Sequence, residues 1–197
     1  MAVPKKVLNH LDNNKMKYEI LEHKIVFTAF DLAQTMKRKL SEIAKTVLVK
    51  ADKEYYLVVV PANCLLDFSG IKKALKVKKV SMARENEMKT KFKVKPGAIT
   101  PFGSVHKVAV LIDSALIRAK VVVFGAGSFT ESIMMKPKDF IDLEQAQKAV
   151  IGKRDKSKKD PKPKVVKKKR KAGKKKRAVR AKKKTIKKKR KSSLYSQ

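Results

Sequence analysis

Three short segments carry residue types that could act on a carbonyl or a phosphate group. The first is the loop at residues 97–103, which begins and ends with glycine and contains Pro101. Glycine lets a backbone take positive φ and approach a ligand closely, while proline stiffens the turn. A stiff loop with free amides can hold a carbonyl oxygen or an anion. The alternative is an ordinary connection between a helix and a strand.

A lysine and two glycines at predicted strand ends form the other two candidates. Lys45 precedes the run at residues 46–49, which is typical of a strand. Its ammonium can extend from the sheet edge into a cleft and bind a phosphate or a carbonyl, although a solvated surface lysine is the alternative in so lysine-rich a chain. Gly125 and Gly127 follow the apolar run 121–124 and would let a ligand approach the strand end. Because no GxGxxG pattern follows, a dinucleotide fingerprint is excluded.

Other catalytic and metal-binding classes find little support in the sequence. His10, His23 and His106 are not spaced as metal ligands, and the single cysteine, Cys64, has no second thiol to complete a zinc site. Cys64 stands among apolar residues, which favours a buried inert thiol over a Cys–His nucleophilic pair. A disulfide within one chain is impossible, which suits a reducing cytosol. We expect no metal and no cofactor.

The elements that must position these residues follow from hydrophobic periodicity. Apolar spacing predicts helices over residues 3–11, 30–43, 67–75 and 84–91 and one beginning at Pro137. Strands are predicted at residues 18–21, 46–49, 55–60, 80–82, 108–112, 121–124 and 133–135, the second and third forming a hairpin. Helices and strands interleave, yet several strands are only one turn apart. The pattern therefore predicts an α/β (α+β) fold with a mixed sheet flanked by helices, rather than a doubly wound parallel sheet.

Charge divides the chain into two parts. The net charge is +35, and residues 153–191 hold 25 of the 52 lysines and arginines but only two acids. Such a stretch cannot bury enough apolar area to offset chain entropy, so we expect a body at residues 1–151 and a disordered basic tail at 152–197. We expect the tail to contact nucleic-acid phosphates through Lys167, Lys168, Lys169, Arg170, Lys174, Lys175, Lys176, Arg177, Lys187, Lys188, Lys189 and Arg190.

Composition also bears on location and on the mode of nucleic-acid binding. The longest apolar runs are far shorter than the ~20 residues of a membrane helix, and polar residues follow Met1 almost at once, so we expect a soluble cytoplasmic protein. The tail has a single aromatic residue, Tyr195. Binding should therefore depend on charge and not on base stacking.

The candidate segments, taken in order, resemble the YbaK and prolyl-tRNA-synthetase editing-domain family. The resemblance covers roughly residues 3–143. Its motifs are Glu22-His23 with Thr28, the run IAKTVLV at 43–49, residues 56–62 leading to Leu66-Asp67, residues 80–83, the loop GAITPFG at 97–103, Ile112-Asp113 and the turn at 125–127. No one motif is specific by itself, but the ordered set is.

The resemblance implies a barrel-like mixed sheet and hydrolysis of the ester that joins a wrong amino acid to the tRNA 3′ end. Lys45 would be the functional lysine, and Gly97, Ala98, Ile99, Thr100 and Pro101 the GxxxP loop, whose amides hold the ester carbonyl. Water, not a covalent nucleophile, would attack. The substrate would meet His23, Val26, Thr28, Phe30, Thr46, Met82, Phe102, Gly103, Gly125 and Gly127, with Val26, Phe30 and Met82 sieving the amino-acid side chain by size.

Two departures from the family pattern leave alternatives open. Some members use a histidine after the last glycine turn, where this chain has Ser128-Phe129, and the basic tail is foreign to the family. The expected partner is mischarged tRNA, with rRNA or DNA open for the tail and a synthetase as a further candidate. The alternative function is a non-catalytic nucleic-acid-binding protein, histone-like or ribosome-associated, built on an editing fold. The sequence does not indicate which amino acid or which tRNA is edited.

Overall fold

The computed structural model describes residues 2–161. The tail residues predicted to bind nucleic acid, from Lys167 to Arg190, lie outside the described residues, as does most of the predicted disordered tail. Within residues 2–161, no helix is long and apolar enough to cross a bilayer.

Short helices surround the sheets. They are α1 (Lys5–Asn13), α2 (Ala29–Met36), α3 (Phe68–Leu75), α4 (Glu85–Lys91), α5 (Gly103–His106), α6 (Ser114–Ile117) and α7 (Pro137–Glu144). α1 buries Val7 and Leu11, one turn apart on the face that contacts the core. Thr28 is the N-cap residue of α2, and its hydroxyl accepts a hydrogen bond from the Asp31 amide.

One predicted helix is wrong in extent. The apolar stripe predicted a single helix over residues 30–43, but α2 ends at Met36 and a separate 3-10 turn covers Leu40–Glu42. The helix stops because Lys37 takes the left-handed conformation, with φ of 53°. The chain then turns so that Leu40 and Ile43 enter the core from a new direction, and both are fully buried.

The central sheet is mixed. The strands of the fold are β1 (Tyr18–Glu22), β2 (Ala44–Ala51), β3 (Glu54–Pro61), β4 (Cys64–Leu66), β5 (Val80–Met82), β6 (Ala109–Asp113), β7 (Val122–Gly125), β8 (Glu131–Met135), β9 (Gln147–Ala149) and β10 (Gly152–Arg154). Five of them form a sheet in the order β5-β2-β3-β6-β9, in which β3, β6 and β9 run parallel and the other pairs are antiparallel. The predicted hairpin is β2–β3.

A second sheet, β1-β8-β7, is antiparallel and lies beside the first. A single parallel bridge between Ile43 and Val123 joins the start of β2 to β7. This bridge links the two sheets, and the predicted mixed, barrel-like architecture flanked by helices is confirmed. The site described below lies beside this junction.

The core follows from strand alternation. Ala44 and Leu48 of β2 face a large cluster, while Val49 faces a smaller one with Val58 and Ile71. The large cluster contains three phenylalanine rings, Phe102, Phe124 and Phe140, with ring centroids 4.5 Å apart for Phe124 and Phe140 and 5.7 Å apart for Phe102 and Phe140. These rings fix the strands and the loop that lead into the site.

Residues 152–161 belong to the folded body, not to the predicted tail. β10 pairs with β4, the Asp155 amide donates to the Asn63 carbonyl at 2.8 Å, and the Asp160 carboxylate accepts from the Leu40 amide at 2.7 Å. These contacts use backbone groups and charged side chains. Apolar periodicity could not reveal them, which is why composition placed the end of the body at residue 151.

Candidate active site

A cavity of about 220 Å³ opens where the two sheets meet. We call it the editing cavity, after the family that the sequence motifs resemble. Four parts of the chain surround it: the segment that leads into α2, the start of β2, the loop after α4, and the turn between β7 and β8. Its walls are formed by His23, Val26, Phe27, Thr28, Ala29, Leu32, Ala44, Lys45, Thr46, Gly97, Ile99, Gly125, Ser128 and Ser132.

The structure brings together eight of the residues predicted from the sequence. Three of the residues predicted to be catalytic line the cavity: Lys45, Gly97 and Ile99. Five of the residues predicted to bind substrate line it as well: His23, Val26, Thr28, Thr46 and Gly125. They come from four segments that span a hundred residues of sequence. Their convergence depends on the β2–β7 bridge and on the loop that packs over it.

Other predicted residues lie elsewhere. Pro101, Phe102 and Gly103 are buried at the end of the loop, and Phe102 is a fully buried part of the core. Ala98, Thr100 and Gly127 line a second cavity instead. These six residues do not line the editing cavity.

Two of the three residues predicted to form the size sieve do not line the editing cavity. Phe30 packs against the apolar cluster of α2, and only Val26 lines the cavity. Met82 is 60 % exposed on β5, opposite Val49. Because Val49 is three residues along β2 from Thr46, the nearest cavity-lining residue of that strand, Met82 lies roughly 10 Å along the strand from the cavity at ~3.3 Å per residue. Leu32 and Ile99 provide the apolar wall in their place.

The loop has the backbone that its glycine predicted. Gly97 has φ of +81°, and a Cβ atom there would come within 3.1 Å of the Phe27 carbonyl oxygen. The loop is held from inside by a hydrogen bond from the Ala98 amide to the Lys95 carbonyl, 3.1 Å. That amide is therefore already committed, which removes it from the predicted set of carbonyl-binding donors.

Lys45 lines the cavity, but its ammonium is held elsewhere. The Nζ donates a hydrogen bond to the carbonyl oxygen of Cys64, in β4. Partial burial lowers the pKa of Lys45, and the nearby ammonium of Lys158 lowers it further, against the opposing effects of Cys64 and Asp155. The prediction of an ammonium directed into the cleft is thus not met in this conformation.

A hydroxyl, an imidazole and a carbonyl form a chain at the cavity wall. His23 Nδ1 lies 2.8 Å from the Lys24 carbonyl oxygen, and Nε2 lies 2.9 Å from Ser132 Oγ. A carbonyl can only accept, so Nδ1 carries the proton, and in the neutral ring Nε2 accepts from the serine hydroxyl. This is the geometry of an oriented general base.

Sequence reasoning missed Ser132 because it lies inside an apolar strand, where nothing in the pattern marks it. The residue is 2 % exposed and pairs with Gly125 across β7 and β8. Thr46 adds another hydroxyl, whose oxygen is buried without a hydrogen-bond partner. Cys64, by contrast, has its pKa raised by burial, so it is a poor nucleophile.

The sequence profile of the aminoacyl-tRNA editing domain family matches residues 23–143. The chain belongs to this family. The matched range contains every residue of the editing-cavity wall, so the cavity is formed within the editing domain.

Two curated relatives are similar over different lengths. The prolyl-tRNA editing protein ProX of Acetoanaerobium sticklandii is 24 % identical over 155 residues, which cover 76 % of this chain and 93 % of that protein. A proline–tRNA ligase of Macrococcus caseolyticus is 29 % identical over 91 residues, 46 % of this chain but only 16 % of the ligase.

Solved structures share the editing-domain fold. The hypothetical protein APE2540 superposes with a TM-score of 0.69 at 24 % identity, covering 75 % of this chain and 99 % of its own. A candidate trans-editing enzyme for prolyl tRNA synthetase superposes with a TM-score of 0.68 at 20 % identity, covering 76 % and 96 %. At these identities the likeness establishes the fold.

Proposed function

We propose that this editing domain hydrolyses the ester of mischarged aminoacyl-tRNA, acting in trans. The observation that carries the proposal is the editing cavity, in which Lys45, Gly97 and Gly125 of the family motifs converge. The similarity to ProX, which extends over 93 % of that protein, supports action in trans. Such an activity belongs to the compartment of translation, the cytoplasm.

In the proposed reaction, the 3′-terminal aminoacyl group enters the editing cavity. Water adds to the ester carbonyl, the bond to the ribose oxygen breaks, and that oxygen takes up a proton, so the products are free amino acid and tRNA. His23 is the one imidazole among the cavity-lining residues, and its Nε2 can accept the proton from water once Ser132 yields its hydrogen bond. Leu32, Val26 and Ile99 would contact the amino-acid side chain.

Lys45 would act after its ammonium leaves the Cys64 carbonyl. The flexible four-carbon stem permits this rotation, and a partly desolvated ammonium gains most from an anionic partner. The anion offered by the substrate is a phosphate next to the terminal adenosine. In this proposal Lys45 exchanges a neutral partner for a charged one when tRNA binds.

The test is a deacylation assay on tRNAs charged with non-cognate amino acids, with mischarged tRNAPro included because the relatives are prolyl-tRNA proteins. Lys45→Ala and His23→Gln should each lower the rate by about 10²–10³-fold, by analogy with loss of one positioned catalytic donor. Lys53→Ala, in the exposed β2–β3 turn, is the matched control. Wild-type rates in both variants would remove these residues from the mechanism.

We also propose that the residues beyond 161 add RNA affinity without sequence preference. Their many lysines would release counterions from the RNA backbone, at roughly −0.7 to −0.9 in log affinity against log salt for each phosphate contact. Replacing the basic blocks at 167–169 and 174–176 with glutamine should flatten the slope. An unchanged slope would show that these lysines do not contact phosphates.

The second candidate function, a non-catalytic nucleic-acid-binding protein, is favoured by one observation: a net charge of +35. The same assays separate the two functions. Salt-dependent RNA binding with no deacylation of any mischarged tRNA in the panel would favour the second candidate. Deacylation that depends on His23 would favour the enzyme.

A further inference from the structure

A second cavity, of about 230 Å³, lies behind the editing cavity. Two backbone segments, residues 97–100 and 125–129, separate the cavities, and we call them the dividing wall. Successive residues of 97–100 face opposite sides, and the segment 125–129 also contributes residues to both sides. Gly97, Ile99, Gly125 and Ser128 line the editing cavity, whereas Ala98, Thr100, Gly127 and Phe129 line the second cavity.

The two segments of the dividing wall are in close contact. A Cβ atom at Gly127 would lie 3.5 Å from the Ala98 carbonyl oxygen, and one at Gly97 would lie 3.7 Å from the Phe129 ring. The wall is therefore about one backbone layer thick. A chain-like ligand that ends in the editing cavity can pass over it and place its preceding unit in the second cavity.

Unpartnered polar atoms mark the second cavity. Among the residues described, the buried side-chain nitrogen and oxygen atoms without a hydrogen-bond partner are Thr46 Oγ1, Thr100 Oγ1 and His106 Nε2. Thr46 lines the editing cavity, and Thr100 and His106 both line the second one. Thr100 is 3 % exposed. Buried polar groups are normally paired, so two such groups in one cavity indicate that a ligand supplies their partners.

The charge of the cavity indicates the ligand's chemistry. Exposed Lys6, Lys93 and Lys95 contribute to its lining, which includes neither aspartate nor glutamate. Burial and the neighbouring ammonium of Lys6 hold the pKa of His106 at about 4. At neutral pH the cavity thus combines three ammonium groups, a hydroxyl and a neutral imidazole, while Pro4, Val7 and Phe129 provide apolar surface. An anion attached to a flat ring matches this combination.

We propose that the second cavity binds the phosphate and part of the nucleotide that precedes the 3′-terminal nucleotide of tRNA. This assignment rests on the proposed function, because it takes the aminoacylated end to occupy the editing cavity. Thr100 and His106 would donate hydrogen bonds to phosphate oxygens, and the three lysines would neutralise the phosphate charge. The Phe129 ring would contact the base.

The test follows the His106 ring by NMR in the full-length protein, during titration with cytidine monophosphate, inorganic phosphate and uncharged tRNA. Cytidine monophosphate should shift the Nε2 resonance, and Thr100→Val should weaken that binding roughly tenfold, the loss of one hydrogen bond to a charged group. Thr35→Val, at an exposed position of α2, is the matched control. An unmoved resonance, or equal affinity in Thr100→Val, would overturn the site.

A second arm separates RNA from a free nucleotide. At a salt concentration that suppresses binding through lysine-rich segments, intact tRNA should shift the His106 resonance, and tRNA trimmed of its last two nucleotides should not. Equal shifts with both tRNAs, or a response to cytidine monophosphate alone, would overturn the assignment to the tRNA end. Because no arm measures deacylation, failure of the proposed editing reaction would be seen separately.

Discussion

Removal of the charge on Asp113 should detach the end of the folded body. This carboxylate is 3 % exposed at the end of β6. Its Oδ2 accepts from the amides of Ile151 and Gly152, at 2.8 and 2.7 Å, and its Oδ1 accepts from the Ala115 amide at 2.8 Å. One side chain therefore begins α6 and holds the segment that leads into β10.

Asp113→Asn has a predictable energetic cost. Asparagine keeps one acceptor oxygen, so at least one buried amide faces an NH₂ group and loses its partner, at about 1–3 kcal/mol. The remaining bonds lose their charge assistance, which adds about 1 kcal/mol. We expect the free energy of unfolding to fall by about 2–4 kcal/mol.

The assay is urea unfolding followed by circular dichroism, with hydrogen exchange at the amides of Ile151 and Gly152. Asp142→Asn, at an exposed position in the last turn of α7, is the control and should change stability by less than about 0.5 kcal/mol. If Asp113→Asn unfolds at the same urea concentration as the control, the carboxylate does not hold this segment, and our account of the end of the body fails.

Three further predictions concern the cavities. Gly97→Ala places a side chain at φ of +81° and 3.1 Å from the Phe27 carbonyl oxygen, so the free energy of unfolding should fall by about 1–2 kcal/mol. The deacylation rate should fall by more than this loss of stability explains. If the two losses were equal, the loop would be an ordinary connection between a helix and a strand. The unfolded chain protonates His106 near pH 6.5, whereas the folded protein resists until about pH 4. The free energy of unfolding should therefore fall as pH is lowered from 6.5 to 4, by about 1–2 kcal/mol after allowance for partial exposure of the ring. Urea unfolding of His106→Gln across the same pH range should lack this decrease. Met82→Ala should leave amino-acid selectivity unchanged because this side chain lies outside the editing cavity, and altered selectivity would contradict its placement.

The local pattern of apolar and β-branched residues was sufficient to predict the longer strands of the fold. The β2–β3 hairpin and the strands β6 and β7 were predicted because continuous β-rich runs leave few alternatives. β9 and β10 were missed because each has three residues and a polar composition, and their existence depends on partners far away in sequence. The stop of α2 at Lys37 was missed for a similar reason, since the apolar stripe continues past it.

Eight of the sixteen residues predicted to catalyse or to bind substrate line the editing cavity, but its geometry was not predictable. Family motifs identified Lys45, Gly97 and Gly125, which do converge. No pattern in the chain states that the Lys45 ammonium contacts the Cys64 carbonyl, a bond between β2 and β4 that exists only after folding. Ser132 was missed because it lies in an apolar strand, and only folding brings its hydroxyl to His23.

The alternation along residues 97–100 of the dividing wall restricts which insertions and deletions this segment can tolerate. Surface loops usually tolerate insertions and deletions. Residues 97–100 behave instead like a strand, with successive residues assigned to opposite cavities. A deletion or insertion of one residue there would exchange the two linings, and the threonine hydroxyl that now faces the second cavity would face the editing cavity. Length changes in this segment should therefore be far more damaging than substitutions at the same positions.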